Sequence, residues 1–234
     1  MPLSLPQLTL ALFDDAHVDL KDFVAGPNQL AVNALSVWLA GDGPWFLMFW
    51  GGSGSGKSHL TQAAVRAIGR GNTRAMYVPL AEVLEFGPAV LDDLESMDFL
   101  SIDDIHLAAG DAHWEQALFN LYNRTHAAGG RLLIASAIGP RGLNFALPDL
   151  NSRLSAGLIY QLVDLNDTEK QTVMQRRAAS RGLSMPDNVA RYLIRRLGRD
   201  MREITHIFEC IDAASLSAGR ELTIPFVRDV LGLN

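Results

Sequence analysis

The chain has 234 residues, of which 48% are apolar and 20% are charged, and its net charge at pH 7 is −6. This is ordinary globular usage for one large domain or two small ones. The acidic balance argues against a protein whose main task is to coat nucleic acid. A single cysteine, Cys210, excludes an internal disulfide and suits the reducing cytoplasm. We find no apolar run of about 18 residues, as a membrane span would need, and no secretory signal.

The stretch QLTLALF, residues 7–13, is strongly apolar although it precedes every recognisable element. Its alternating leucines are typical of a short strand. The same pattern also suits an extended peptide that another protein binds through apolar pockets. The residues alone leave both interpretations open.

Apolar runs of strand length then alternate with helical patterns. Runs without polar interruption are typical of strands buried on both faces, as in parallel sheets. The predicted helices span residues 30–38, 58–68 and 111–128, and a further helix with a loop is predicted between residues 79 and 99. The predicted strands span residues 45–50, 75–79, 99–103, 131–136 and 158–163. This order predicts an α/β fold in which helices sandwich a five-stranded parallel sheet.

From Asn166 onward the pattern is helical alone. Asn166 and Glu169 have the spacing of a capping box. Further helices are predicted to begin at 185–187, with a proline in the first turn, near Asp200, and near 224–225. We therefore expect three regions: a flexible peptide over residues 1–15, an α/β nucleotide-binding domain over 16–165, and a small all-helical lid domain over 166–234.

A glycine-rich loop follows the first predicted strand and opens a helix. It matches the phosphate-binding pattern G-x-x-x-x-G-K-[ST] and consists of Gly51, Gly52, Ser53, Gly54, Ser55, Gly56, Lys57 and Ser58. Backbone N–H groups of such a loop point at phosphate oxygens, and the helix N-terminus adds partial positive charge. Lys57 would contact the β- and γ-phosphates and Ser58 would ligate Mg²⁺. The alternative is a plain Gly/Ser linker, which the strand–loop–helix context disfavours.

The third predicted strand ends in two acids, Asp103 and Asp104. Beside a phosphate loop, Asp103 fits Mg²⁺ coordination and Asp104 fits orientation or deprotonation of an attacking water. The alternative is a pair of loop carboxylates that solvate a strand end. The six histidines have no metal-site spacing, and His106 lies just after the acid pair.

Taken together, these motifs resemble the AAA+ ATPases of the DnaA initiator clade. The resemblance is carried by the two motifs above and by five segments: DFVAGPNQLA at residues 22–31, YVPL at 77–80, GDAHWEQALFNLYNR at 110–124, LNFALPDLNSRL at 143–154 and LTIPFVRDVL at 222–231. It implies an AAA+ P-loop NTPase that binds ADP or ATP with Mg²⁺.

The resemblance also implies roles for two arginines. Arg153 falls where the family carries its arginine finger, which enters a neighbouring subunit's site and stabilises the transferring phosphoryl group. Arg202 matches the lid arginine that contacts nucleotide phosphates, with Arg199 as a nearby alternative. Without the resemblance, Arg153 would be a surface residue with a local ion pair and Arg202 part of a solvated helix face.

Residues 7–13 resemble the peptide by which replication proteins bind the sliding clamp, the β subunit of DNA polymerase III. This implies a clamp contact through Gln7, Leu8, Leu10, Leu12 and Phe13. The implied function is a regulator that, on the DNA-loaded clamp, promotes hydrolysis of DnaA-bound ATP and so prevents re-initiation of replication. DnaA and the clamp would be partners in the cytoplasm, at the nucleoid or replisome, and a homo-oligomer is possible.

Two departures from the family pattern qualify this expectation. Ala137 stands where DnaA-like proteins often place the aspartate called sensor 1, which predicts weak intrinsic hydrolysis unless the Ser136 hydroxyl substitutes. The chain also ends at the lid, so we expect no helix-turn-helix domain and no sequence-specific DNA binding.

The other functions considered are a self-contained ATPase, such as a helicase loader or DnaA paralogue, and a DNA-binding initiator fragment. A short basic cluster on a predicted lid helix consists of Arg195, Arg196 and Arg199. We consider two interpretations of it: a solvated helix face, or a contact for DNA or an acidic partner.

Overall fold

The computed structural model describes residues 19–196, 208, 210, 211, 214 and 222–232. The predicted clamp-binding residues Gln7, Leu8, Leu10, Leu12 and Phe13 lie outside this part of the chain, as do Arg199, Arg202 and the helix predicted near Asp200.

Strands and helices alternate through the described part of the first 165 residues. The strands are β1 (Phe46–Gly51), β2 (Ala75–Pro79), β3 (Phe99–Asp103), β4 (Arg131–Ser136) and β5 (Leu158–Leu162). The helices of this region are α1 (Gln29–Leu39), α2 (Lys57–Gly69), α3 (Leu80–Val83), α4 (Ala112–Ala127) and α5 (Pro148–Ser155). Short 3-10 helices span Leu20–Asp22, Gly26–Asn28, Leu84–Phe86, Pro88–Leu91, Leu94–Ser96, Ile105–Ala108 and Pro140–Gly142. All five predicted strands are confirmed within one residue at either end.

The five strands form one parallel sheet in the order β2-β3-β4-β1-β5. Phe46 lies opposite Leu132 on one side and Leu47 opposite Leu158 on the other, so β1 is flanked by β4 and β5. Since all strands run in the same direction, the loops that follow them meet at one edge of the sheet. β4 lies between β1, which precedes the phosphate loop, and β3, which carries the acid pair.

Apolar side chains fill both faces of the sheet. Phe46 and Met48 of β1 face a core formed with α3, α4 and α5. Leu47 and Phe49 point to the opposite face, where they pack with α1 and α2. Successive strand residues alternate between faces, so burial of both faces explains why β1 is apolar without interruption. The predicted sandwich of helices around a parallel sheet is confirmed.

The lid helices have a core of their own. Within the described part of the lid, the helices are α6 (Asp167–Ser180), α7 (Asp187–Arg196) and α8 (Ile224–Leu231). Met174, Leu193 and Val227, one from each helix, are fully or almost fully buried in this cluster. The predicted capping box of α6 is confirmed: Asn166 Oδ1 accepts from the Glu169 amide at 3.0 Å, and a Glu169 carboxylate oxygen accepts from the Asn166 amide at 2.7 Å.

Two local features differ from the sequence prediction. Helix α7 begins at Asp187, so Pro186 precedes the helix and its carbonyl accepts from the Val189 and Ala190 amides. Helix α5 was not among the predicted helices. It has only eight residues and buries only Leu150 and Leu154, so its apolar pattern is too short to indicate a helix. Among the described residues, no helix is both long and apolar enough to cross a bilayer.

Candidate nucleotide-binding site

The phosphate loop joins the end of β1 to α2, as predicted. At Gly51, a side chain would run into the Leu162 carbonyl oxygen of the neighbouring strand. At Gly56, the backbone is left-handed with φ of +95°, and a Cβ atom would lie 2.6 Å from the Phe23 ring. Only glycine fits both positions, since it lacks Cβ and adopts positive φ without strain.

Lys57 lies inside the curve of this loop. Its ammonium group donates to the Gly51 carbonyl at 2.8 Å and to the Gly52 carbonyl at 2.7 Å, and the residue is 6% exposed. The Ser55 hydroxyl also donates to Gly52 O, at 2.9 Å, which closes the loop. A cation held beneath a glycine loop is suited to bind phosphate, whose oxygens are stronger acceptors than carbonyls.

The N-terminus of α2 supplies the second part of an anion site. This helix has 13 residues, and no side chain caps its N-terminus. Its first amides therefore keep the partial positive charge that favours a phosphate group. The glycines, Lys57 and the uncapped helix fit the phosphates of a nucleotide.

Asp103 is fixed by a chain of hydrogen bonds that reaches α2. It is 2% exposed, and its Oδ2 accepts from the Tyr77 hydroxyl at 2.9 Å. Tyr77 in turn accepts from Gln62 Nε2 at 3.3 Å. Burial, with Asp103 close by, raises the pKa of Tyr77 far above its usual value, so the phenol remains a donor. The acid is thus held in one orientation relative to the helix that follows the phosphate loop.

Mg²⁺ binding by Ser58 and Asp103 stays a prediction. Within the described residues, no group of three or more His, Cys, Asp or Glu side chains forms a metal site. That finding is compatible with Mg²⁺, which takes one or two protein ligands and completes its shell with phosphate oxygens and water. Ser58 is exposed in the first turn of α2 and Asp103 ends β3, so both fit this mode of binding.

Asp104 has an unusual backbone conformation. Its φ is +54° and its ψ is 38°, in the left-handed region. Non-glycine residues adopt this region at a cost, and such strain concentrates at functional sites. The turn directs the chain into the 3-10 helix Ile105–Ala108 and leaves the Asp104 side chain 34% exposed at the carboxyl edge of the sheet.

The segment before α1 closes the other side of the loop. Phe23 packs on Gly56. Asn28, 3% exposed, donates to the Val163 carbonyl at 2.9 Å and accepts from the Val163 amide at 2.7 Å. Arg176 of the lid donates to the Phe23 carbonyl at 3.5 Å. This segment therefore contacts the phosphate loop, the residue directly after β5 and the lid, a role that the sequence pattern alone did not predict.

Arg153 lies on a surface distinct from the phosphate loop. It is exposed on α5, while its neighbours Leu150 and Leu154 are buried. Its carbonyl accepts from the Tyr122 hydroxyl at 3.4 Å, which ties α5 to α4. Among the described residues, its guanidinium has no ion pair and no hydrogen bond, so the alternative of a locally paired surface arginine finds no support there.

Glu115 holds the loop that leads into this helix. It lies on α4, is 1% exposed, and its two carboxylate oxygens accept from the Gly110 amide at 2.9 Å and the Leu147 amide at 2.8 Å. Leu147 is the residue just before α5. Glu115 thus fixes the start of the helix that carries Arg153. As a charged residue of an amphipathic helix, it gave no sign of this role in the sequence.

The fold and the glycine loop define a domain of the AAA+ P-loop NTPase fold, followed by lid helices. Residues 15–161 match the family model of the bacterial DnaA ATPase domain, and the chain belongs to this family. Residues 167–231 match the family model of the Hda lid domain. The chain is thus a replication-initiation-related protein of the DnaA family, as the sequence resemblance predicted, and its lid matches that of Hda.

Solved structures agree on the fold. Domain III of the Thermotoga maritima replication initiation protein DnaA has a TM-score of 0.78 and 21% identity, over 93% of this chain and 97% of that one. Aquifex aeolicus DnaA bound to AMPPCP has a TM-score of 0.70 and 22% identity, and the match covers 88% of this chain and 68% of that one. A Thermotoga maritima RuvB mutant has a TM-score of 0.67 and 17% identity, and the match covers 92% of this chain and 71% of that one.

Proposed function

We propose that this protein binds ADP or ATP with Mg²⁺ at the phosphate loop. The support is the glycine loop around Lys57, the uncapped N-terminus of α2 and the oriented Asp103. The similar Aquifex aeolicus DnaA structure contains AMPPCP, an ATP analogue. Ser58 and Asp103 would hold Mg²⁺, Asp104 would orient water, and Arg202 of the lid would contact the phosphates.

We further propose that the protein is a regulator that promotes hydrolysis of ATP bound to DnaA and so prevents re-initiation. The observation that carries this proposal is the Hda-type lid joined to a DnaA-type ATPase domain in one chain. The exposed guanidinium of Arg153 is suited to act in trans, since a planar, permanently charged group pairs well with phosphoryl oxygens. The protein's own hydrolysis of bound ATP would be weak.

The N-terminal peptide would tether this activity to the sliding clamp of DNA polymerase III. Gln7 would supply hydrogen bonds while Leu8, Leu10, Leu12 and Phe13 contact the clamp surface, with the last three as apolar anchors. Residues 1–15 would form this peptide, 16–165 the ATPase domain and 166–234 the lid. The protein would act in the cytoplasm, at the nucleoid or replisome, without sequence-specific DNA contact.

The experiment that tests the regulatory role measures conversion of DnaA–ATP to DnaA–ADP in the presence of clamp loaded on DNA. Wild type should stimulate conversion and Arg153→Ala should not, since arginine fingers contribute on the order of 10³-fold or more. Arg141→Ala, which removes another exposed arginine from the same domain, is the matched control and should behave as wild type. Equal stimulation by Arg153→Ala would exclude the finger assignment.

The tether is tested by retention on immobilised clamp. Wild type should be retained, and a variant with Gln7, Leu12 and Phe13 replaced by alanine should pass through. Retention of both proteins to the same extent would remove the peptide from the proposal. The alternative of a self-contained ATPase requires turnover without DnaA that is lost in Lys57→Ala and Asp104→Asn.

A further inference from the structure

The carboxyl end of β4 occupies the centre of the site. In the sheet order β2-β3-β4-β1-β5, β4 separates the strand before the phosphate loop from the strand that ends in the acid pair. A group at the end of β4 therefore lies between Lys57 on one side and Asp103 and Asp104 on the other. This is where the terminal phosphate of a bound triphosphate would meet the attacking water.

β4 itself presents no free polar side chain at this point. Ser136 is fully buried, and its hydroxyl oxygen accepts from the Ile138 amide at 3.0 Å, so the hydroxyl lies beneath the surface at the end of β4. Ala137 is exposed but carries only a methyl group. A polar contact at the end of β4 must come from another element.

His106 provides that group. The left-handed turn at Asp104 and the 3-10 helix after it bring the imidazole back to β4, where the Ala137 amide donates to His106 Nδ1 at 3.3 Å. The same nitrogen lies 3.9 Å from Asp104 Oδ1, and the side chain is only 16% exposed. Ile105, directly before it, is 1% exposed and anchors the 3-10 helix.

The hydrogen bond from Ala137 defines the tautomer of the ring. An amide N–H only donates, so Nδ1 must be unprotonated and the proton of the neutral imidazole sits on Nε2. Burial lowers the pKa of His106, and the charge of Lys57 lowers it further, while the carboxylates of Asp104 and Asp103 oppose them. His106 Nε2–H has no hydrogen-bond acceptor among the residues that the structure describes, and it remains a donor for a ligand.

We propose that His106 Nε2–H binds the terminal phosphate of a nucleoside triphosphate, and that it supplies the polar contact that Ala137 cannot. It would distinguish the triphosphate from the diphosphate, because only the triphosphate places an oxygen between the phosphate loop and the acid pair. The inference rests on the proposed nucleotide binding.

The test compares the affinities of AMPPCP and ADP by isothermal titration calorimetry. His106→Ala should weaken AMPPCP about tenfold, as expected for one hydrogen bond to a charged group, and change ADP affinity less than about twofold. His113→Ala, which removes an exposed histidine from α4, is the control and should leave both affinities unchanged. If His106→Ala weakens both nucleotides equally, or neither, the proposal is wrong.

A rescue variant separates a ligand contact from a structural role. In His106→Ala/Ala137→Asn, an amide projects from the end of β4 itself, and AMPPCP affinity should recover relative to the single variant. ¹⁵N spectra of the wild type should show His106 protonated at Nε2 without nucleotide, with the Nε2–H resonance shifting on addition of AMPPCP but not of ADP. A shift with neither nucleotide overturns the proposal, whereas failure of wild type to bind either one refutes nucleotide binding itself.

Discussion

Replacement of Glu115 tests whether the helix that carries Arg153 is held in place from within the domain. Both carboxylate oxygens of Glu115 accept backbone hydrogen bonds, from Gly110 at 2.9 Å and Leu147 at 2.8 Å, and the residue is 1% exposed. Glu115→Gln keeps one acceptor but turns an NH₂ group toward a backbone N–H. One charge-assisted bond is lost, which costs about 2 kcal/mol.

For a chain of this size, a loss of 2 kcal/mol lowers Tm by roughly 4–8 °C. Thermal unfolding followed by circular dichroism measures this shift. Glu82→Gln removes an exposed carboxylate from α3 and should change stability by less than about 0.5 kcal/mol. The stimulation of DnaA–ATP hydrolysis should also fall in Glu115→Gln while its ADP affinity is retained, because the change displaces α5 and spares the phosphate loop.

Two outcomes would refute this reasoning. If Glu115→Gln melts within about 1–2 °C of the wild type, the range allowed for Glu82→Gln, the buried hydrogen bonds do not contribute as the geometry indicates. If it loses stability but stimulates DnaA normally, α5 does not depend on Glu115 for the position of Arg153.

Three further changes probe the nucleotide site and its borders. Lys57→Ala should abolish measurable ADP binding in calorimetry while the fold, judged by circular dichroism, is kept; binding within about twofold of wild type would contradict the site. Tyr77→Phe should lower the free energy of unfolding by about 1–2 kcal/mol in urea, because Asp103 loses a buried donor. Asn28→Ala should cost about 2–3 kcal/mol through its two bonds to Val163, and an unchanged urea midpoint would show that this link is not stabilising.

Elements that local pattern defines were predictable from the sequence. The five strands are short apolar runs because a parallel sheet buries both faces. The phosphate loop was recognisable because the close approach of Gly51 to Leu162 and the positive φ of Gly56 demand glycine. The capping box at Asn166 depends on residues only three apart, so local sequence suffices to specify it.

Features that depend on long-range contacts were not predictable in this way. Asn28 and Val163 are 135 residues apart, and no periodicity links them. In the sequence, Glu115 is not distinguishable from other polar residues of its helix. Its role depends on the hydrogen bond from the Leu147 amide, 32 residues away. The left-handed turn at Asp104 has no glycine to mark it, and the contact between His106 and Ala137 requires two strands to lie side by side. These features arise from tertiary contacts, and a local sequence pattern does not reveal which distant residues will meet.

The most direct test of the central claim asks whose ATP is hydrolysed. DnaA is loaded with labelled ATP, mixed with clamp on DNA and with this protein in its unlabelled ADP form, and the conversion of the label is followed. Wild type and Asp104→Asn should both accelerate conversion, because the reaction occurs in DnaA, whereas Arg153→Ala should not. Loss of stimulation in Asp104→Asn together with full activity of Arg153→Ala would contradict the account.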